Sequence, residues 1–512
     1  MVEVILACTK DFGVGVGHSL PWKCEGDLDI FKKKTWGNVV IVGRKTMVSL
    51  PRLDNRIFFC LSKKVQSPKA RTEKNSFLIF NEFSMALQYA KTRHPEKKIF
   101  VAGGAEIYNQ VLNDERYLSY VSALHISIIK GDHSCDKFVR FPFERWCAIS
   151  KEEHDEFTHY EMSYNPLGEH QYLSLLRETY SNGKMKAGRN GATFSRFAKN
   201  LTFDLRKGFP LLTGKKMFFR GIVEELLFFL RGDTDTDILM SKGIKIWEKN
   251  TDKEFLKGRK LDYKTGLMGP MYGYQLRFFN QPYNPLSGEP VRKDNASSSL
   301  TTGIQTVAVG TAALRDNNAS NNIGIGFGAL PLNTSGEPVR KDNKVDQLRN
   351  VIDLIRSDPA SRRIIMTTYN PAQADEGVLY PCHSLIVQFY VDIDETDSRP
   401  KSLSMYCFNR SADLFLGLPF NIASSALLLT IVAKCTGLAP KYLYVGLGDA
   451  HVYATHREAI STYVENIPHF TFPQLSVLKE ISTVEDVENL KYEDFELRNY
   501  RSYASIPAEM AA

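Results

Sequence analysis

The sequence predicts an α/β amino-terminal domain followed by an α+β carboxy-terminal domain. Three observations carry that prediction. At 512 residues the chain is too long for one hydrophobic core, so at least two domains are expected. Its first 160 or so residues alternate short β-rich runs with helical segments, the pattern of a largely parallel sheet. Beyond a cluster of Asn, Pro and Gly in "SYNPLGEH", long helical patterns and longer strands mix without that alternation.

In the first half the expected strands are "VEVILAC", "NVVIVG", "RIFFCLS", "KIFVAGG" and "YLSYVSALHISII", interleaved with the helical "GDLDIFKKKT" and "FSMALQYAKTR". The boundary is expected near Pro166, giving domains 1–165 and 166–512. The second domain offers helices "FRGIVEELLFFLRGDT" and "KVDQLRNVIDLIRSD" and strands "RRIIMTTYN", "SLIVQFYVDI" and "LSMYCFNR". The apolar run from Phe415 to Cys435 has the length of a membrane span, but Pro419, Asn421 and a Ser pair interrupt it. A buried helix entered from a loop is expected.

Composition narrows the function classes. A net charge of +7 without a long basic block suits small anionic ligands better than nucleic acid, and no membrane partner is expected. Eight cysteines without a C-x-x-C pair suggest no metal site and no disulfide framework. The first residues lack the pattern of a secretory signal, so a cytoplasmic location with reduced thiols is expected.

One segment, about 287–342, fits neither domain. The nonapeptide "SGEPVRKDN" starts at Ser287 and again at Ser335, and the sequence between is rich in Ser, Thr, Asn and Gly. Inside it "VGTAAL" from Val309 is echoed 16 residues later by "IGFGAL" from Ile325. The echo is similar to the repeats of fibre-type β-solenoids, but the expectation is an inserted surface loop.

Three stretches bear on chemistry. Asp27 is a lone carboxylate on the apolar side of a helix that also turns Ile30 and Phe31 inward. Burial would raise its pKa for proton transfer; a helix-start residue complementing the dipole is the alternative, and sequence alone favours the latter. "GRKT" at Gly43–Thr46 and the pair Gly103-Gly104 each end a strand and open a helix, where backbone N–H groups can approach phosphate. In "LYPCHSLIVQFYV", Cys382 precedes an apolar run. A nucleophilic thiolate there needs cations, and Arg410 and Arg362-Arg363 are the candidates; alone, Cys382 reads as a core thiol.

Taken together and in order, these pieces of the first 160 residues resemble dihydrofolate reductase. The resemblance implies that Asp27 holds the pterin and supports protonation at N5. Ile5, Ala7, Trp22 and Phe31 would line the folate pocket, and Arg56 would pair with the glutamate α-carboxylate. Arg44, Lys45, Thr46, Gly103, Gly104 and Tyr108 would hold NADPH, with Ser62, Lys63 and Lys64 at its 2′-phosphate. Leu124 stands where the family commonly has Thr, which would remove a hydroxyl partner of Asp27.

From about Gly168 onward the blocks "GRNGATFS", "EELLFFLRGDT", "IWEKN", "GPMYGYQLR", "DPASRRII", "YPCHSLIVQFYV", "NRSADLFLGLPFNIAS" and "GDAHVYATH" resemble thymidylate synthase, interrupted by the insertion. The two joined halves resemble the bifunctional family of protozoa, plants and some large viruses. This implies that Cys382 attacks C6 of dUMP, that Glu225 organises proton transfers, and that Trp247 packs against 5,10-methylenetetrahydrofolate. Arg189, Arg410 and Ser411 would grip the 5′-phosphate, with Arg362 and Arg363 reaching from a second subunit, hence a homodimer. His451 and Tyr453 would bind the ribose 3′-hydroxyl, Asp413 would face the pterin side of bound dUMP, and Tyr272 and His383 would complete the hydrogen-bond network. Asn421 can donate to uracil O4 and accept from N3–H, favouring dUMP over dCMP and disfavouring cytosine hydroxymethylation. The tail "IPAEMAA" departs from the family's closing segment, which puts closure over the site in question. A different class of reading, an inactive scaffold that binds a partner through the insertion, conflicts with the intact Asp27, Cys382 and Asn421.

Overall fold

The computed structural model describes residues 2–17, 19–63, 69–71, 76–188, 191–291, 307–309, 323–325, 345–393 and 399–509. Lys64 and Arg189, two of the expected ligand-binding residues, lie outside them.

The first half is built on a nine-stranded sheet. Its strands are β1 (Val2–Cys8), β2 (Val39–Gly43), β3 (Ile57–Leu61), β4 (Lys69–Arg71), β5 (Ser76–Phe80), β6 (Ile99–Val101), β7 (Val121–Ile129), β8 (Trp146–Glu153) and β9 (Phe157–Tyr164). They lie in the order β8-β9-β7-β1-β6-β2-β3-β5-β4, parallel from β7 to β5 and antiparallel at both edges. The continuous apolar run of β2 has a physical reason. Val39 and Ile41 enter one core cluster and Val40 and Val42 another, so both faces of the strand are covered. Helices α1 (Glu25–Thr35), α2 (Arg44–Ser49), α3 (Phe83–Arg93) and α4 (Ala105–Asn113) connect the parallel strands. Because α2 and α4 follow the ends of β2 and β6, the expected phosphate loops meet at the carboxyl ends of these two neighbouring central strands.

The second half carries a six-stranded sheet of β10 (Lys184–Gly188), β11 (Gly191–Asp204), β12 (Ile365–Thr367), β13 (Ile386–Ile393), β14 (Pro400–Asp413) and β15 (Ala439–Tyr453), ordered β10-β11-β15-β14-β13-β12. Only β14 and β15 pair in parallel. One face packs on helices α5 (Phe219–Arg231) and α6 (Gly417–Cys435). Among the described residues α6 alone is long and apolar enough to cross a membrane, yet 72% of its apolar window is buried, and it sits in the core against β14 and β15. The apolar run after Cys382 is buried on one face only. Val387, Phe389 and Val391 point into the core, while Ile386 and Tyr390 are 43% and 67% exposed, as period-2 geometry requires of a sheet covered on one side.

The halves touch directly. Ala148 of β8 donates its N–H to His469 O at 2.8 Å and accepts from Thr471 N at 3.0 Å, and Arg177 pairs with Glu144 at 2.6 Å. Of the insertion, Val307–Val309 and Ile323–Ile325 are described, and they pair in parallel with Val307 opposite Ile323. That register equals the 16-residue spacing of the sequence echo; nearly all the rest of the insertion lies outside the described residues.

Two candidate active sites

The first site opens near the carboxyl ends of β1 and β7. Helix α1 passes over it, with Glu25 and Asp27 in its first turn and Lys32, Lys33 and Lys34 in its last, an arrangement that complements the helix dipole. Ile30 leans on a small cluster with Trp22, Ala7, Ile129 and Phe157, and Phe31 leans on Val40, Met47 and Phe58, so Asp27 stands between two apolar patches. Burial raises the pKa of its carboxyl, and the Ser127 hydroxyl pulls it partly back. The expected loss of a hydroxyl partner is therefore corrected. Leu124 is buried in the core on the opposite face, and β7 delivers Ser127, paired with Ala7 across the sheet, to Asp27.

Ile5 is almost completely buried beside this carboxylate and Ala7 partly so. Arg56 is anchored at the far end of α1. It donates to Thr35 Oγ1 at 2.9 Å, Asp54 O at 2.6 Å and Lys32 O at 2.6 Å, which engages three of its five N–H groups. Its other two donors have no partner among the described residues.

The adjoining loops fit a dinucleotide phosphate. Gly43 N donates to Gly103 O at 2.7 Å, which brings the ends of β2 and β6 together. Neither α2 nor α4 has a side-chain cap, so their first N–H groups stay available. A side chain at Gly104 would meet Thr46 Oγ1 at 3.0 Å, and Gly103 has φ +107°, so only glycine leaves this cradle open. Arg44 and Lys45 are exposed at its rim, and Lys63 is exposed beside the buried Ser62. Tyr108 is committed to the scaffold: it donates its hydroxyl to Ile5 O at 2.6 Å and lies under Gly103.

The second site is built around Cys382. Its sulfur lies 3.5 Å from the Tyr272 hydroxyl, which also accepts the Cys382 N–H at 3.2 Å. Burial, reinforced by the neighbouring sulfur, keeps that phenol protonated, so its O–H is available to a thiolate. Tyr272 has φ +43°, unusual outside glycine, and is held there by packing against Phe229, Trp247 and a stacked His383 at 4.4 Å. His383 is neutral because burial lowers its pKa to about 4. Behind this wall, Glu225 of α5 accepts the Trp247 indole N–H at 2.8 Å. Enclosure pushes its carboxyl up to about 7, against the opposing effect of that hydrogen bond.

The anion-binding side comes from β14 and β15. Arg410 donates to Pro381 O at 2.9 Å and Tyr380 O at 3.2 Å, which fixes its charge on the segment carrying the thiol, and Ser411 N reaches Cys382 O at 3.4 Å. Asp413 pairs in register with His451, and Tyr453 ends the same strand. Asp413 Oδ1 accepts the N–H of Phe415 at 2.9 Å and shapes the entry to α6, on whose first turns Asn421 stands half-buried. Arg362 and Arg363 are not gathered in. They lie in an exposed turn before β12, in no ion pair with a described residue.

Comparison with known proteins shows the family of each half. The dihydrofolate reductase family profile matches residues 1–168 and the thymidylate synthase profile residues 170–512. A protein named bifunctional dihydrofolate reductase-thymidylate synthase from Paramecium tetraurelia is 32% identical over 99% of this chain and 98% of its own length. Namesakes from Leishmania major and Zea mays are 31% and 30% identical over 99% of this chain. The chain belongs to the bifunctional dihydrofolate reductase-thymidylate synthase family. Within the reductase half, sequence reasoning missed Ser127 and His159, because a hydroxyl and an imidazole on β7 and β9 reveal their proximity only through strand register. Within the synthase half it missed Lys215. This lysine is 5% exposed, donates to Phe415 O at 2.5 Å, and is lowered to about 8 by burial against the pull of Asp413. The synthase tail is docked, with Ile506 and Ala508 on the core and Glu509 O accepting from His456 Nε2 at 2.8 Å.

Proposed function

We propose that the chain converts dUMP to dTMP with 5,10-methylenetetrahydrofolate in its domain 166–512 and reduces the released dihydrofolate to tetrahydrofolate with NADPH in its domain 1–165. The observation that carries the synthase half is the contact of Cys382 with Tyr272, backed by Glu225 on Trp247. The Cys382 thiolate, hydrogen-bonded by the Tyr272 O–H, adds to C6 of dUMP and makes C5 a carbon nucleophile that takes the methylene group. Glu225, titrating near 7, exchanges protons through water as C5 loses its hydrogen. Hydride from the tetrahydrofolate ring then completes the methyl group and the thiolate departs, leaving dTMP and dihydrofolate. Asn421 reads uracil O4 and N3–H, and Trp247 and His383 wall the site. Arg189, Arg410 and Ser411 hold the phosphate; His451 and Tyr453 hold the ribose 3′-hydroxyl, and Asp413 the pterin side.

In the reductase half Asp27 accepts the pterin 2-amino group and N3–H and keeps a proton available for N5. Ile5, Ala7, Trp22 and Phe31 exclude water, and the two free donors of Arg56 take the glutamate α-carboxylate. NADPH supplies the hydride when bound, and Arg44, Lys45, Thr46, Gly103, Gly104, Ser62, Lys63 and Lys64 would hold it on a cradle shaped by Tyr108.

The working unit is a homodimer, and its location is cytoplasmic. Supporting the dimer, Ile365, Gln388, Tyr406 and Tyr444 form one row across the outer face of the second sheet, and three of them are exposed large side chains. Burying that face against a second copy would bring the partner subunit's Arg362 and Arg363 to the phosphate. Subunit exchange tests it. Cys382→Ser and an Arg362→Ala/Arg363→Ala double variant should each be inactive as synthases, and mixed and refolded together should recover about a quarter of wild-type activity, from the one intact site per mixed dimer. No recovery from folded mixed dimers would contradict the shared site.

A further inference from the structure

Behind Asp27 runs a buried polar row that the chemistry above leaves unused. Glu3, His125, Ser127 and His159 are 6%, 2%, 1% and 4% exposed and share one face of β1, β7 and β9, where Ser127 pairs with His159 and His125 with Glu161. Ser127 Oγ lies 3.0 Å from His159 Nδ1, and Ser127 is also the side chain that draws the Asp27 carboxyl down against burial. A hydroxyl has one proton to give, and an ionised carboxylate can only accept. Ser127 therefore donates to Asp27, and its lone pair must be satisfied by His159 Nδ1–H.

The surroundings of His159 leave that tautomer open to it. Burial, with the neighbouring His125 and Lys34, brings it down to about 4 against the pull of Glu161, so the ring is neutral, and its buried Nε2 has no partner among the described residues. Its ring stacks parallel to His125, with centroids 6.1 Å apart. His125 Nε2 lies 2.8 Å from Glu3 Oε2, and Lys98 donates to the same carboxylate at 2.7 Å. Burial alone would raise Glu3, but His125 and Lys98 outweigh it and bring it to about 2. Glu161 on β9 takes Lys34 of α1 at 3.2 Å, and His154 in the β8–β9 turn completes the titratable groups around the ring. Asp27 itself is faced by Tyr108, Cys8 and Cys24.

We propose that His159 is a positioning residue of the reductase, whose Nδ1–H turns the Ser127 hydroxyl toward Asp27 and so sets where that carboxyl titrates. The inference rests on Asp27 being the reductase carboxylate. In the full-length chain, kcat for dihydrofolate reduction is followed against pH, with the synthase activity of each preparation as the check on folding. Ser127→Ala should move the falling limb upward by about one pH unit, because the carboxylate loses its donor. His159→Leu should move it the same way by about half as much, and His159→Asn, whose amide N–H replaces Nδ1–H, should return it to the wild-type position. If the leucine variant does not fold, His159→Gln, which keeps the volume but places its N–H at the Nε2 position, should show the same shift. A lower kcat with an unmoved limb, or no restoration by Asn, overturns the role of His159. Full activity in Asp27→Asn overturns the reading of Asp27 itself, whereas loss there beside an unmoved limb in His159→Leu or His159→Gln overturns only this inference.

Discussion

Asp27 and Glu225 are each a single carboxylate raised by burial and held by one side-chain donor, yet the two halves supply that donor differently. At Glu225 the donor is an indole N–H, whose direction is fixed by ring packing among Phe229, Tyr272 and Trp247. At Asp27 it is a hydroxyl, which rotates freely unless a second group holds its lone pair. A rigid donor needs no support beyond packing; a rotatable one needs a further hydrogen bond, and His159 stands where that bond is made. Polar layers behind a site are thus explained by the kind of donor in front of them.

The largest expected effects separate the two carboxylates. Glu225→Gln should cut synthase turnover by about 10²–10⁴-fold and spare dihydrofolate reduction, and Asp27→Asn should do the converse by a similar factor. Either loss crossing to the other half, measured by the two assays on one preparation, would break the comparison. A smaller effect sharpens it. Trp247→Phe removes the rigid donor, so Glu225 should titrate about one pH unit higher and synthase activity at neutral pH should fall by about fivefold, recovering as pH rises. An unchanged pH profile would deny the indole its role. The smallest effect is on stability. Glu225 titrates near 4.5 when unfolded and about 7 when folded, so its ionisation costs nothing below the first value. That cost grows as pH rises between the two and is complete above the second. Thermal melts of Glu225→Gln should therefore show a larger gain at pH 8 than at pH 5, by no more than about 3 kcal/mol.

What was legible in the sequence was whatever is local in the chain. The strand-helix alternation, the glycine pair before α4, the interrupted apolar run that became α6, and the block around Cys382 each carry their meaning within a dozen residues. What register decides was not legible. Whether Leu124 or Ser127 faces Asp27 turns on a shift in the β1–β7 pairing after Val2, and the outward half of β13 looked buried because Ile386 and Tyr390 are apolar. Lys215 was invisible for the same reason: its acceptor, Phe415 O, is 200 positions away.

One mixture tests the central claim that two sequential sites share this chain. Purified protein is given dUMP, 5,10-methylenetetrahydrofolate and NADPH, and dTMP formation and NADPH oxidation are followed together. Wild type should form one dTMP per NADPH oxidised, Cys382→Ser should form neither dTMP nor NADP, and Asp27→Asn should form dTMP while dihydrofolate accumulates and NADPH persists. dTMP from Cys382→Ser at the wild-type rate, or NADPH oxidation by Asp27→Asn at the wild-type rate, would contradict the account.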